Sequence, residues 1–100
     1  MKIFQCGELR EALTHAREGG QSLHLHRIVF PSSPRCFRLA VERGEDIAHL
    51  FDLDRERLVQ TAKRLGVRWI VVEREGTDRQ HVDLCAGPLR QALREANSEG

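Results

Sequence analysis

Apolar residues recur along this chain with two periods, one near 3.6 and one of 2, and the two periods mark helices and strands respectively. Leu9, Ala12, Leu13 and Ala16 fall at i, i+3, i+4 and i+7, which predicts an amphipathic helix over 8–18, stopped by Gly19-Gly20. The same stripe returns at Leu58, Val59, Ala62 and Leu65, where Asp52 or Asp54 is placed to cap a helix over 54–65 that Gly66 ends. Pro88 opens a third helix, 88–97, with Leu89, Ala92, Leu93 and Ala96 inward and a frayed tail after Asn97. Leu9-Arg-Glu-Ala-Leu13 and Leu89-Arg-Gln-Ala-Leu93 look alike, but helix periodicity alone accounts for that match.

Between the helices the period drops to 2. Residues 2–5 predict a short strand, and 22–30 a strand that grows more apolar toward its end, before the Pro31-Ser-Ser-Pro34 loop. Residues 36–41 place Phe37, Leu39 and Val41 on one strand face, ended by the Arg43-Gly44-Glu45-Asp46 turn. The stretch 47–51 fits helix or strand equally. Residues 67–73 are almost continuously apolar, which predicts a strand covered on both faces at the centre of the sheet. A turn at 75–78 then leads to a short strand over 80–84. Together these elements predict a single α/β domain over 1–100, with a mixed sheet of about four to six strands and about three helices.

Composition narrows the function classes. With 40% hydrophobic and 31% charged residues the chain is globular, and 100 residues suffice for one core but not two. Sixteen Lys+Arg against fifteen Asp+Glu leave a net charge of +1, so no long-range field draws the molecule onto nucleic acid or acidic lipid. Four Phe, one Trp and no Tyr supply few stacking platforms for single-stranded nucleic acid. Arg55, Arg57, Arg64 and Arg68 are interleaved with Asp52, Asp54 and Glu56, as on a solvated helix face. The N-terminal run lacks an apolar segment of signal or membrane-spanning length, so a cytoplasmic protein away from membranes is expected. Cys6, Cys36 and Cys85 form an odd set without close pairing, which fits reduced thiols better than a disulfide framework or a zinc ribbon.

The densest chemistry is His81-Val-Asp-Leu-Cys85. Side chains two apart on a strand share a face, so imidazole, carboxylate and thiol form one row while Val82 and Leu84 face the core. These are donors that zinc and related divalent ions accept, although three in line on one strand make poor tetrahedral geometry. A metal site would therefore recruit His49, or the His24 and His26 pair. The alternative is structural: His49 hydrogen-bonds a loop, and His81 pairs with Asp83 to orient a turn. Cys85 also precedes a helix N-terminus, where a thiolate or a bound anion is favoured and Arg90 lies near in sequence. That run is one residue shorter than the Cys-x5-Arg spacing of a phosphatase loop, and Pro88 removes one of its amides. Cys36, between Arg35 and Arg38, has flanking guanidiniums but sits where a thiol normally faces a core.

From His49 to Ala96 the chain resembles an uncharacterised family of short bacterial proteins, the domain of unknown function 4031 type. The likeness is carried by His49-Leu50, by Ala62-Lys-Arg-Leu-Gly66, by His81-Val-Asp83 and by the following helix around Ala92. It implies no activity, but it singles out His49, His81 and Asp83, and it does not extend to Cys85, to His24-Leu-His26 or to the N-terminal half.

The expectation is a polar pocket near the C-terminal ends of strands that binds a small anion or a divalent metal such as zinc. His49, His81 and Asp83 would be the metal ligands, with His49, Cys85 and Arg90 as ligand-binding groups. If the site is hydrolytic, Asp83 orients His81 as general base or metal ligand and His49 is the second ligand or acid. The competing expectation is a non-catalytic interaction domain, in which a strand edge or the Ile28-Val-Phe30 end pairs with a partner or a second copy to form a homo-oligomer.

Overall fold

Side-chain alternation across four strands separates the chemistry of this chain from its main core. The computed structural model describes residues 1–26 and 47–98. The expected strand at 36–41, the end of the 22–30 strand, the Pro31–Pro34 loop, the 43–46 turn and the last two residues lie outside the described residues. Along the chain run β1 (Lys2–Phe4), a turn of 3-10 helix (Cys6–Glu8), α1 (Leu9–Arg17), β2 (Ser22–His26), β3 (Ile47–Phe51), α2 (Arg55–Leu65), β4 (His81–Leu84) and α3 (Ala86–Ser98). Among the described residues this is an α/β domain with three helices and a four-stranded mixed sheet, in the order β1-β2-β3-β4. β1 and β2 are parallel, as a crossover through α1 requires, while β2, β3 and β4 run antiparallel.

The predicted helices form, the first two within a residue of their expected bounds and the third starting at Ala86 rather than at Pro88. The Asp54 carboxylate accepts the Arg57 amide at 3.1 Å and opens α2. Gly66 closes it at φ 95°, its amide donating to the Ala62 and Lys63 carbonyls, a backbone conformation that a side chain would strain. The buried stripe of α2 is Leu58, Thr61, Ala62 and Leu65, with Val59 only half-buried, which corrects the expected stripe by one position. The Thr61 hydroxyl is satisfied by a bond from Gln21 Nε2 at 2.8 Å.

Two layers of helix flank the sheet. Leu23, Ala48, Leu50, Val82 and Leu84 point to one face and pack with Leu58, Ala62 and Leu65 of α2 and Leu89 and Ala92 of α3. On the other face Phe4 and Phe51 meet Ala12, Leu13 and Ala16 of α1. Burying each of these leucines stabilises the fold by about 2 kcal/mol.

The inner strands of the sheet are not the 67–73 run but β2 and β3, and in β3 Ile47, Ala48, Leu50 and Phe51 are all buried. Residues 67–73 form an irregular segment in which Glu73 alone makes a bridge, exchanging amide and carbonyl with His81 at 2.8 and 3.0 Å. Val67, Ile70 and Val72 pack against the core, whereas Trp69 is 89% and Val71 59% exposed. An apolar run of this length has the same pattern whether one side or both are covered, and only the tertiary partners decide.

An ion pair between a buried carboxylate and a partly exposed guanidinium joins the end of β3 to α2. Asp52 is fully buried, and the Arg57 guanidinium grips both its oxygens, Nε to Oδ2 at 2.7 Å and Nη2 to Oδ1 at 2.8 Å. Gln21 Nε2 and the Asp54 amide donate to the same carboxylate at 2.9 Å each. Arg57 is thus a structural clamp rather than part of a solvated face, whereas Arg55 and Arg64 form exposed pairs with Glu75 and Glu95.

Candidate metal centre

His49 stands at the middle of β3, and the register gives it His24 on one side and Asp83 on the other. His81 lies opposite Phe51, two positions from Asp83 and on the same face. Strand alternation therefore sends His24, His49, His81 and Asp83 to the α1 side, away from the main core. The His24 and His49 rings stack with centroids 6.1 Å apart, and His81 meets His49 edge-on at 4.7 Å. The side chains of His49, His81 and Asp83 are 25%, 13% and 24% exposed, enough for a small ligand to reach them.

Hydrogen bonding fixes the protons. His81 Nδ1 lies 2.7 Å from the Arg79 carbonyl, and because a carbonyl only accepts, that nitrogen carries a hydrogen. His81 Nε2 then faces Asp83 Oδ1 at 3.3 Å. A neutral ring would turn a lone pair toward an ionised carboxylate, so that position calls for a proton or a metal cation. His49 Nδ1 lies 2.6 Å from the same oxygen and donates to it. One candidate ligand atom from each of His49, His81 and Asp83 lies within 4.8 Å of the other two, the one such group of three metal-binding side chains among the described residues. Two imidazoles and one carboxylate suit zinc or iron(II) and leave coordination positions open.

The charges are mutually supportive. Burial alone would raise Asp83, but hydrogen bonds from His49 and His81, and then their charges, overturn it and hold the carboxyl at about 2 against an ordinary 3.8. Burial lowers His81, yet its bonds to Asp83 and the Arg79 carbonyl, with the charges of Asp83 and Glu73, leave it raised above its ordinary 6.5. The Asp83 contribution to stability is complete above 3.8 and fades as pH falls toward about 2, and is worth roughly 2 kcal/mol. That of His81 is complete below 6.5 and fades as pH rises through its raised value. Metal-free protein is therefore expected to melt highest between about pH 4 and 6.5, in thermal scans with chelator present, and Asp83→Asn to flatten both shoulders. A pH profile unchanged by that substitution would contradict the coupling.

The other expected site residues are not brought to this cluster. Cys85 continues the row on its strand face, but it is 2% exposed, packs against Ile47 and is disulfide-bonded, so it offers neither thiolate ligand nor nucleophile. This also corrects the expectation of a wholly reduced cysteine set; Cys6 is free and exposed. Arg90 is exposed on α3 and lines neither of the two concavities described here. His24, considered only as a recruit, lies beside His49, with its Nε2 3.1 Å from the Cys6 carbonyl. The site is also not at the C-terminal ends of strands, because that rule belongs to parallel sheets and β3 and β4 are antiparallel.

Over the histidines lies a pocket of about 390 Å³ lined by His24, His49, Phe51, Arg74, Arg79 and His81, with Cys6 and Leu9 at its side. Its two arginines were missed in the sequence, where they read only as flanks of a polar turn. A second concavity of about 400 Å³ lies beyond Asp83, lined mainly by apolar residues including Trp69, Val71 and Leu84. It holds less chemistry. No described helix is long and apolar enough to cross a membrane. No family model, curated protein or solved structure matches this chain.

Proposed function

We propose that this domain binds one divalent metal ion, zinc or a zinc-like cation, through His49, His81 and Asp83, and that the metal serves hydrolysis. The observation that carries the reading is the clamp on His81: its Nδ1–H is fixed by the Arg79 carbonyl, which turns Nε2 toward Asp83 and the second imidazole. Protein metal sites orient ligating histidines in this way, with the far nitrogen donating to a carbonyl or carboxylate. Three protein ligands leave a position for water, whose acidity the cation raises enough to supply hydroxide near neutral pH. The partly exposed rings of His49 and His81 face the pocket where a substrate would lie.

Zinc-loaded protein is expected to hydrolyse at least one of a panel of chromogenic carboxyl and phosphate esters, to lose that activity in chelator and to regain it with zinc. Stoichiometric zinc without turnover of any ester would reject hydrolysis and keep a binding role. The resemblance to the uncharacterised bacterial family singles out the same three residues.

A second, non-catalytic reading draws on Trp69, 89% exposed beside β4, the last strand of the described sheet. It expects a concentration-dependent dimer in sedimentation that Trp69→Ser abolishes; a monomer at every concentration counts against it.

A further inference from the structure

We infer that the loop between Glu73 and His81 is an anion clamp, whose Arg74 and Arg79 hold the phosphoryl group of a small phosphomonoester over the histidines. This deepens the hydrolytic reading and rests on it for the role of the metal. The loop is closed at its base by the Glu73–His81 bridge. Inside it the Thr77 hydroxyl and amide both donate to the Arg74 carbonyl, at 2.7 and 3.1 Å. Gln80, only 3% exposed, accepts the Gly76 amide with Oε1 and donates from Nε2 to the Asp52 carbonyl at 2.9 Å. The loop is thus anchored to the buried ion pair of the fold.

Its charges are sorted by direction. Glu75 and Asp78 are engaged by Arg55 and Arg17. Arg74 and Arg79 line the pocket instead, and neither guanidinium has a carboxylate partner among the described residues. No carboxylate is among the residues lining that pocket. Arg74 sits at φ 53°, a left-handed backbone that costs a non-glycine residue of order 1 kcal/mol and that concentrates at functional positions. Two unpaired guanidiniums at the mouth of a pocket lined by histidines match a dianionic oxyanion, which takes charge-assisted bonds from both. A volume of about 390 Å³ suits a small metabolite-sized ligand.

In the hydrolysis this implies, the oxygen of water forms a bond to phosphorus, the ester P–O bond breaks, and the departing alkoxide takes a proton from the attacking water. The products are an alcohol and inorganic phosphate, and no oxidant or reductant is needed.

The test is titration of inorganic phosphate into wild type, Arg74→Ala, Arg79→Ala and the double variant, with zinc stoichiometry measured on each. Each single change is expected to weaken phosphate about 10-fold and the double about 100-fold, with zinc unchanged. Arg79→Lys, which keeps the charge but not the fork, should recover part of the loss. Phosphate binding in the double variant equal to wild type overturns the clamp, whatever zinc does. Zinc binding that fails in wild type, with phosphate still dependent on both arginines, overturns the metal reading and leaves the clamp standing.

Discussion

Replacing Arg57, the partner of the Asp52 carboxylate, with alanine is expected to lower the stability of the fold by about 3–5 kcal/mol, a large share of what a domain of this size possesses. The carboxylate is fully buried and accepts four bonds, two from Arg57 and one each from Gln21 and the Asp54 amide. Alanine at 57 would strip two of those bonds from a carboxylate that stays buried, and a buried charge without its partner costs more than the pair contributes when made. Asp52→Ala should cost less, because the guanidinium it leaves is 44% exposed, keeps its bond to the Gly19 carbonyl and is solvated by water. Denaturant midpoints at constant m-value measure both changes, and an Arg57→Ala loss below about 1 kcal/mol would show the pair to be ornamental. Metal and phosphate binding are separate readouts, since Asp52 touches neither ligand site directly.

The second large effect is at Asp83. Asp83→Ala is expected to weaken zinc by at least about 100-fold, because the shared oxygen that approaches both His49 and His81 is lost together with its negative charge. The same substitution acts on metal-free protein with a definite sign. It removes the partner that keeps His81 protonated, so stability falls most at mildly acidic pH, where both contributions are present, and less above the His81 range, where the bond to His49 is what is lost. Zinc binding itself should strengthen as pH rises, because cation and protons compete for the same nitrogens. Arg90→Ala is the matched control: Arg90 is exposed on α3, away from the pocket, and zinc affinity should not change. Equal zinc affinity in Asp83→Ala and wild type, by competition with a chromogenic chelator, would remove Asp83 from the ligand set.

The sequence carried the helices and the three site residues further than it carried the sheet. The periodic stripes, Asp54 and Gly66 were legible because capping and periodicity are local. His81 and Asp83 were legible for a similar reason: the two-residue repeat of a strand sets them on one face whatever the rest of the fold does. From spacing alone His49 was legible only as a recruit, with the resemblance as its other pointer, since its meeting with Asp83 depends on the β3–β4 register, which no local signal fixes. The same gap misplaced the sheet centre. The 47–51 and 67–73 runs are both short and apolar, and β3 became an inner strand because β2 and β4 pair on its two sides. Arg74 and Arg79 were invisible as site residues because turn chemistry predicts the loop but not which of its charges find partners elsewhere. Asp52 and Asp54 looked interchangeable as caps, yet one caps α2 and the other anchors a buried pair.

Calorimetric titration of zinc into metal-free wild type and into the His49→Ala, His81→Ala, Asp83→Ala triple variant tests the metal centre most directly. One site per chain in wild type, with affinity rising with pH, and none in the triple variant is the predicted result. Zinc uptake that is the same in both proteins, or absent from wild type, would contradict it.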